Sequence, residues 1–286
     1  MKETEKSRSG SSQVWRRLKK NKVAVISMFV LILVFLIAIF APLLAPHSFE
    51  ESDSSRALER SSRDYPLGTD RIGRCVLSRL IYGSRQSLQM GFFAVTGSVI
   101  IGITIGAIAG YYGKFADTLL MRLLDIFQGV PMFLLTVTFA AVLGPSLRNA
   151  IIAIGISMIP YPARMMRASI LSVREMEYIE AARSIDAGDR RIIIRHVIPN
   201  AIAPVLVSFT MSMGMAVLSG AALSFIGLGV QPPTPEWGNM IAEGRNFMRA
   251  EPQLALYPGI CVMITVLAFN MLGDGLRDAL DPRLKS

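Results

Sequence analysis

Long runs without a single charged residue constrain this sequence more than any other feature. Six such runs occur, at residues 23–46, 86–113, 126–147, 149–163, 197–235 and 252–273. A helix needs about 20 apolar residues to cross the hydrocarbon core of a bilayer. We therefore predict an all-α membrane protein with six transmembrane helices.

Two of the six runs depart from the usual length of a span. The fourth is short, but Arg164 and Arg167 beyond its end can place their charges at the membrane interface, so that the helix continues past it. The fifth is too long for one helix. We expect a span there from about residue 204 to 227, followed by a Gly- and Pro-rich stretch that is typical of turns.

The composition narrows the class of protein further. Hydrophobic residues make up 52% of the chain and charged residues 18%, whereas a soluble domain has about 25% charged residues. The two cysteines, Cys75 in a polar loop and Cys261 in the last run, indicate neither a disulfide scaffold nor a metal cluster. With this hydrophobicity, the formal net charge of +9 does not indicate a nucleic-acid binder.

The positions of the cations predict the orientation, because Lys and Arg are enriched in cytoplasmic loops. With both termini inside the cell, 20 of the 30 Lys and Arg residues lie on the cytoplasmic side, eight of them in residues 1–22. We therefore predict an N-in, C-in topology. The loop at 46–85 argues the other way with seven Arg, but six acidic residues offset them, so we interpret this loop as a folded polar segment.

The same pattern divides the chain into segments. The apolar stretch after residue 22 lacks a plain small-x-small cleavage site, so we expect an uncleaved first span. The segments are a basic cytoplasmic tail (1–22), a first transmembrane helix (23–46), an external polar segment (47–85), a five-helix core (86–277) that includes a polar insert (174–197), and a cytoplasmic tail (278–286).

No residue pattern points to catalysis, a cofactor or a metal ion. His47 and His196 fall on opposite sides of the membrane in this topology, and no H-E-x-x-H, G-x-S-x-G or paired-cysteine motif occurs. The Gly-Tyr-Tyr-Gly-Lys stretch at 110–114 lacks the spacing of a phosphate-binding loop, so we interpret it as a helix end. We assign no catalytic residue, metal ligand or cofactor, and expect a protein that is not an enzyme.

Two short patterns predict contacts of the second and third helices. Gly102, Gly106 and Gly110 recur every four residues along one face of the second helix, which permits close packing of another helix. Arg122 and Asp125 are three residues apart in the third helix, a spacing at which they can form a structural ion pair.

Prolines interrupt two of the predicted spans. Pro131 interrupts the third and Pro160 the fourth, and the carbonyls that lose their partners need a neighbouring helix or a water-lined cavity. Ordinary helix packing is one explanation of these breaks, and a translocation path is the functional alternative. We assign Pro131, Pro160 and Ser224 to that path.

The polar insert at 174–197 is predicted to form a hairpin between spans four and five. Residues 175–185 are mostly helix formers. Gly188 supplies a stop, and Asp189 is a candidate N-cap for a second, basic helix. By itself, such a hairpin is either a solvated loop or a patch that fits the groove of a partner protein.

Motifs spread from end to end resemble a known family. Glu180-Ala-Ala, followed by Val-Ile-Pro-Asn at 197–200, resembles the EAA loop of permease subunits in bacterial ATP-binding-cassette importers. Further stretches resemble the C-type permease of dipeptide and oligopeptide systems; they lie at 17–22, 67–74, 78–83, 223–238 and 268–283.

The resemblance implies a division of labour among several proteins. A second, similar permease would form a heterodimer with this chain and enclose the path. Two cytoplasmic ATP-binding subunits would grip the EAA loops, and an external solute-binding protein would deliver the substrate. The chain would lie in the bacterial inner membrane, in contact with lipid and with no nucleic acid. The residues that the resemblance assigns to ATPase coupling are Tyr178, Glu180, Ala181, Ala182, Arg183, Asp186 and Gly188.

Two positions depart from the family pattern. The family has Gly where this chain has Asp186, so either Asp186 adopts a left-handed turn or the helix runs on to Gly188. Cys75 stands where the family pattern has an acidic residue, so any ion pair of that acid with an Arg of the outer loop would be absent here.

The function that follows is that of a permease subunit in an ATP-driven, binding-protein-dependent importer of dipeptides or oligopeptides. Family members also serve nickel, glutathione and other small solutes, which are alternative substrates within the same class. A self-sufficient secondary carrier is the alternative outside it.

Overall fold

In a computed structural model of the chain, residues 10–184 and 186–280 are described, and they form a bundle of helices. The α-helices are α1 (Gly10–Leu18), α2 (Lys22–Ile39), α3 (Ala41–Leu44), α4 (Val76–Tyr112), α5 (Lys114–Gln128), α6 (Met132–Leu143), α7 (Leu147–Met158), α8 (Pro160–Val173), α9 (Glu177–Ser184), α10 (Asp189–Ile192), α11 (Ile198–Ala201), α12 (Ala203–Phe225), α13 (Trp237–Gly244) and α14 (Gln253–Leu280). Short 3₁₀ turns lie at Ser54–Arg56 and Arg245–Phe247, and a π-helical segment at Ile193–Val197. Within these residues the β-structure is one isolated bridge, between Thr69 and Cys75, so the all-α prediction is confirmed.

The long helices make the chain a multi-pass membrane protein. Four of them, α2, α4, α12 and α14, are long and apolar enough to cross a membrane. A fifth span results if α5 and α6 count as one, although they meet at an angle of 86°. The six spans and their orientation therefore stay predictions.

The third predicted span is wrong as a single helix. Pro131 lacks the amide hydrogen that a continuous helix requires. The amide of Gly129 ends α5 by donating to the carbonyl oxygens of Asp125 and Ile126, and α6 starts again just after Pro131. The chain can bend sharply at this point because α5 ends before Pro131 and α6 begins after it, so that no helical hydrogen bonds continue across the break.

The ion pairs of α5 also differ from the prediction. Asp125 pairs with Arg164 of α8 and not with Arg122, so the predicted pair within one helix is wrong. One turn further along α8, the guanidinium Nη2 of Arg167 donates to Asp117 Oδ2 at 2.6 Å. The acids of α5 therefore fasten it to the neighbouring helix.

The fourth predicted helix does continue beyond its apolar run. Ile159, between α7 and α8, keeps helical angles (φ −54°, ψ −42°), and Pro160 occupies the start of α8, where no amide donor is needed. The helical path then runs on past Arg164 and Arg167 to Val173.

The helix α4 is the longest in the described part, at 37 residues. It begins at Val76, ten residues before the apolar run, so the last ten residues of the predicted external segment are helical. Arg79 and Arg85 end the apolar run without ending the helix.

Close packing of α4 against α8 confirms the interpretation of the glycine pattern. A Cβ atom at Gly102 would lie 2.7 Å from Pro162 Cγ, and one at Gly110 would lie 3.0 Å from Ile170 Cβ. Gly106, between them, meets the backbone of α8. The absence of side chains therefore lets the two helices approach to backbone contact.

The external segment before α4 is folded around a buried ion cluster. Asp70 Oδ2 accepts from Arg74 Nε at 2.6 Å and from Arg79 Nη1 at 2.5 Å, and Arg79 Nη1 also donates to Glu243 Oε2 at 2.7 Å. Burial tends to raise the pKa of Asp70, but the charges of Arg79 and Arg74 outweigh burial, so this pKa lies below its ordinary value. Arg74 of this loop and Arg79 at the start of α4 therefore neutralise Asp70 and Glu243.

Candidate coupling surface and transport cavity

The polar insert folds as the predicted hairpin. Its first helix, α9, covers Glu177–Ser184, and the second limb begins with α10 at Asp189. The limb then continues through the π-helical segment and α11 toward α12. The two limbs therefore leave and re-enter the bundle side by side.

The helix α9 has one buried and one exposed face. Ile179 is fully buried and Ala182 is 9% exposed, and both belong to the main apolar core. Tyr178, Glu180 and Ala181 point away from that core and are exposed. The helix can therefore stay anchored to the bundle while it offers a hydroxyl, a carboxylate and a small side chain to a partner protein.

The turn of the hairpin lies at Asp186. Its φ is +57°, in the left-handed region, whereas Gly188 has an ordinary φ of −60°. Of the two alternatives that the sequence left open, the first is therefore correct. Arg183 lies within α9, but its side chain is outside the described part of the structure.

Two hydrogen bonds connect the hairpin to the end of α4. Before α9, Arg174 Nη1 donates to the carbonyl oxygen of Gly110 at 2.8 Å. After the turn, the hydroxyl of Tyr111 donates to Asp189 Oδ1 at 2.7 Å. Sequence analysis treated the Gly-Tyr-Tyr-Gly stretch only as a helix end and missed this role.

An open cavity of about 810 Å³ lies beside the two proline breaks. Both Pro131 and Pro160 line it, so the structure brings these two predicted path residues together. Ser224 is not among the lining residues; it is buried, and its Oγ accepts from the amide of Val230 at 3.3 Å.

The cavity wall is mostly apolar, with a few polar groups at fixed positions. Apart from Tyr161, the polar lining residues are Gln128, Ser157, Ser212, Asn270 and Asp274. Asp274 is the one charged residue of the lining, one turn after Asn270 on α14. Sequence analysis missed both residues, although an amide inside an apolar run, followed by an acid at its end, was the available signal.

The His, Cys, Asp and Glu side chains of the described residues do not form a metal-binding cluster. Between residues 10 and 280, residue 185 excepted, no group of three His, Cys, Asp or Glu side chains could hold a metal ion. Cys75 is buried at the N-terminus of α4, and Cys261 is half-buried in α14.

Family profiles match most of the chain. The profile of the binding-protein-dependent transport system inner membrane component matches residues 102–286. The profile of the N-terminal TM domain of oligopeptide transport permease C matches residues 10–60. Together they include the hairpin, the cavity helices and the first long helix.

Curated relatives are similar over nearly the whole length. The dipeptide transport system permease protein of Alkalihalophilus pseudofirmus is 47% identical over 96% of this chain and 90% of its own. The glutathione transport system permease protein of Pectobacterium atrosepticum is 42% identical over 96% of this chain and 91% of its own. The dipeptide transport system permease protein of Haemophilus influenzae is also 42% identical, over 96% of this chain and 95% of its own.

A solved structure shares the fold. It is an inward-facing conformation of the MetNI methionine ABC transporter, with a TM-score of 0.57 and 19% identity over 72% of this chain and 98% of that chain. At that identity the likeness concerns the fold alone. The family profiles and the close relatives establish that the chain belongs to the inner-membrane permease components of binding-protein-dependent ABC transport systems.

Proposed function

We propose that this chain forms half of the translocation path in an ATP-driven importer of dipeptides or oligopeptides. The observation that carries the proposal is the two-faced helix α9, which is anchored by Ile179 and exposes Glu180 and Ala181 at one end of the bundle. In such an importer, ATP is hydrolysed by separate subunits. This chain converts their motion into a change of the translocation path between inward-open and outward-open states.

The exposed face of α9 suits a groove on an ATPase subunit. Ala181 allows close approach, Glu180 supplies a charge for a basic partner residue, and Tyr178 supplies an aromatic contact, a residue type enriched at protein interfaces. Two ATPase subunits would bind two hairpins, one of this chain and one of a second, homologous permease in a heterodimer.

Six spans with both termini in the cytoplasm fit these elements. Four spans are formed by α2, α4, α12 and α14, and the bent pair α5–α6 forms a fifth. The sixth span is formed by α7 and α8 together, because Ile159 between them keeps helical angles. The hairpin then lies on the same side as the basic segment 1–22, in the inner membrane of a bacterium. An external solute-binding protein would dock at the opposite end.

The cavity suits a peptide-sized solute. Thioethers of Met132, Met158, Met211 and Met215 line it, and flexible, polarizable side chains accept differently shaped substrates. Asp274 adds one negative charge, which favours the ammonium group of a peptide. The relatives named for dipeptide and glutathione transport support a small peptide as substrate, and a nickel or other solute importer is the alternative in the same class.

Reversal of the exposed charge on α9 tests the proposal. In the importer assembled with its own partner subunits, Glu180→Lys should leave the chain in the membrane and abolish both ATPase association and ATP-dependent peptide uptake. Glu50→Lys, the same charge change on an exposed residue of the external segment, is the matched control and should transport normally. Normal uptake by the Glu180→Lys variant would refute the assignment, and gradient-driven uptake by the chain alone in liposomes would favour a secondary carrier.

A further inference from the structure

The helix α4 is attached to the coupling hairpin at one of its ends. The last turn of α4 contributes the Gly110 carbonyl, which accepts from Arg174, and the Tyr111 hydroxyl, which donates to Asp189. Arg174 precedes α9, and Asp189 begins the second limb, so the hairpin is held on both sides of its turn. A displacement of the hairpin therefore pulls on α4 directly.

The opposite end of α4 is attached to α13. Ser87 Oγ donates to Glu236 Oε1 at 2.7 Å, and the indole Nε1 of Trp237 donates to the Leu80 carbonyl at 3.1 Å. Glu236 is fully buried at this contact. α13 follows the far end of α12, so it lies at the end of the bundle away from the hairpin.

Between these two attachments α4 is one uninterrupted helix. Its 37 residues contain no proline and extend over about 55 Å at 1.5 Å per residue. Two other routes through the bundle are interrupted: α5–α6 by the 86° bend and α14 by the internal Pro258. The helix α12 is also uninterrupted, but it is shorter, at 23 residues. A straight helix transmits a displacement of its end better than a hinged one, because hinges absorb motion.

We infer that Tyr111 is a positioning residue through which the coupling hairpin moves α4, and that α4 carries this movement to α13 at the opposite face. The inference deepens the proposed function and rests on it. The hydroxyl of Tyr111 bonds to a carboxylate, and hydrogen bonds to charged groups are among the stronger ones in proteins. The Tyr111 side chain is only 7% exposed, whereas its acceptor Asp189 is exposed on the hairpin.

The neighbouring residue provides a matched control. Tyr112 also ends α4 but is 52% exposed, and its hydroxyl makes no hydrogen bond to the described residues. Tyr111→Phe and Tyr112→Phe remove the same oxygen atom from adjacent positions. A difference between them therefore reports the interactions of Tyr111 and not the loss of a hydroxyl in general, and the variant of Asp189 isolates the bond to that residue.

The test uses the complete importer in proteoliposomes and measures peptide molecules taken up per ATP hydrolysed. Tyr111→Phe should lower this ratio about tenfold, as expected for loss of a hydrogen bond to a charged group, while the ATPase subunits stay bound. Tyr112→Phe should keep the ratio of the unmodified chain. Asp189→Ala, which removes the acceptor, should act like Tyr111→Phe, and the double variant should be no worse than either single one.

A second readout follows the movement at the far end. Met248, just after α13, is 55% exposed. In a Cys75→Ser, Cys261→Ser background, a Met248→Cys residue should react with an impermeant maleimide at different rates in the nucleotide-free and vanadate-trapped importer. Tyr111→Phe should remove this difference, which a merely structural role of Tyr111 would leave in place.

The outcomes separate the inference from the function on which it rests. An unchanged uptake-to-hydrolysis ratio in Tyr111→Phe, or a double variant whose loss equals the product of the single losses, would overturn the inference alone. Failure of the unmodified chain to hold ATPase subunits would overturn the proposed function instead. If Tyr111→Phe lowers the amount of assembled importer, Asp189→Ala decides by the same ratio, because Asp189 is exposed on the hairpin.

Discussion

Gly106 is a position at which a single methyl group should destabilise the contact between α4 and α8. In Gly106→Ala, the added Cβ would lie 2.8 Å from Met166 Cβ and 2.9 Å from the amide nitrogen of Arg167, and closer still to the carbonyl oxygen of Ala163. Two of these three atoms belong to the backbone of α8, which cannot rotate away. α4 and α8 would therefore have to separate.

The magnitude follows from the geometry of the contact. Ordinary Cβ contacts start at 3.4 Å, so the helices must part by roughly 0.5 Å or more along this contact, and overpacking of this kind costs about 1–3 kcal/mol. Gly97 on the same helix provides the control, because a Cβ there has nothing within 4 Å. Gly97→Ala should be neutral or stabilising by up to about 1 kcal/mol, since Ala favours the helix.

The assay is unfolding in mixed micelles by titration with sodium dodecyl sulfate, followed by circular dichroism. Gly106→Ala should be less stable than Gly97→Ala by about 2 kcal/mol in free energy of unfolding. Equal stability of the two variants, within about 0.5 kcal/mol, would refute the conclusion that α4 and α8 meet at backbone contact.

Three further predictions concern the hairpin turn and the external ion cluster. Asp186→Gly should remove the strain of the left-handed conformation and raise the free energy of unfolding by about 1 kcal/mol, whereas Asp186→Val should lower this free energy. An unchanged free energy of unfolding in both variants would contradict the φ of +57° at this turn. Arg79→Met should cost about 3 kcal/mol in the same assay, because it removes a buried cation and leaves Arg74 to neutralise both Asp70 and Glu243, and a variant of unchanged stability would contradict the cluster. Because the pKa of Asp70 lies below its ordinary value, the stabilisation by Asp70 should be complete at neutral pH and be lost as the pH falls below about 4. The difference in stability between the unmodified chain and Asp70→Asn should therefore shrink in acid, and a difference independent of pH would exclude this origin.

The elements that the sequence predicted best are those determined by a long local pattern. The apolar runs located α2, α12 and α14 because burial in lipid requires continuous hydrophobicity over a whole helix. The fourfold spacing of Gly102, Gly106 and Gly110 predicted a close helix contact, although the partner helix α8 could not be named from it.

The failures concern interactions between residues far apart in the chain. Asp125 had a possible partner three residues away, yet it pairs with Arg164, 39 residues later, since the bend at Pro131 turns α5 toward α8. The bond from Tyr111 to Asp189 joins positions 78 residues apart. No local pattern encodes such pairs, because they depend on how whole helices pack.

The candidate site was predictable in part for the same reason. The hairpin and its exposed residues follow from helix formers, a stop and the EAA-like motif in one short stretch. The cavity residues Asn270 and Asp274 were missed because their role depends on Pro131 and Pro160 lying opposite them in space.

Cross-linking from α9 tests the central claim most directly. A single cysteine at Ala181, in the Cys75→Ser, Cys261→Ser background, is linked with a short bifunctional maleimide to cysteines in the ATPase subunits of the active importer. The exposed position of Ala181 predicts a cross-link whose yield changes on ATP binding, while Met248→Cys at the opposite end of the bundle gives none. An active importer without a cross-link from residue 181, or with equal yields from both positions, would contradict the account.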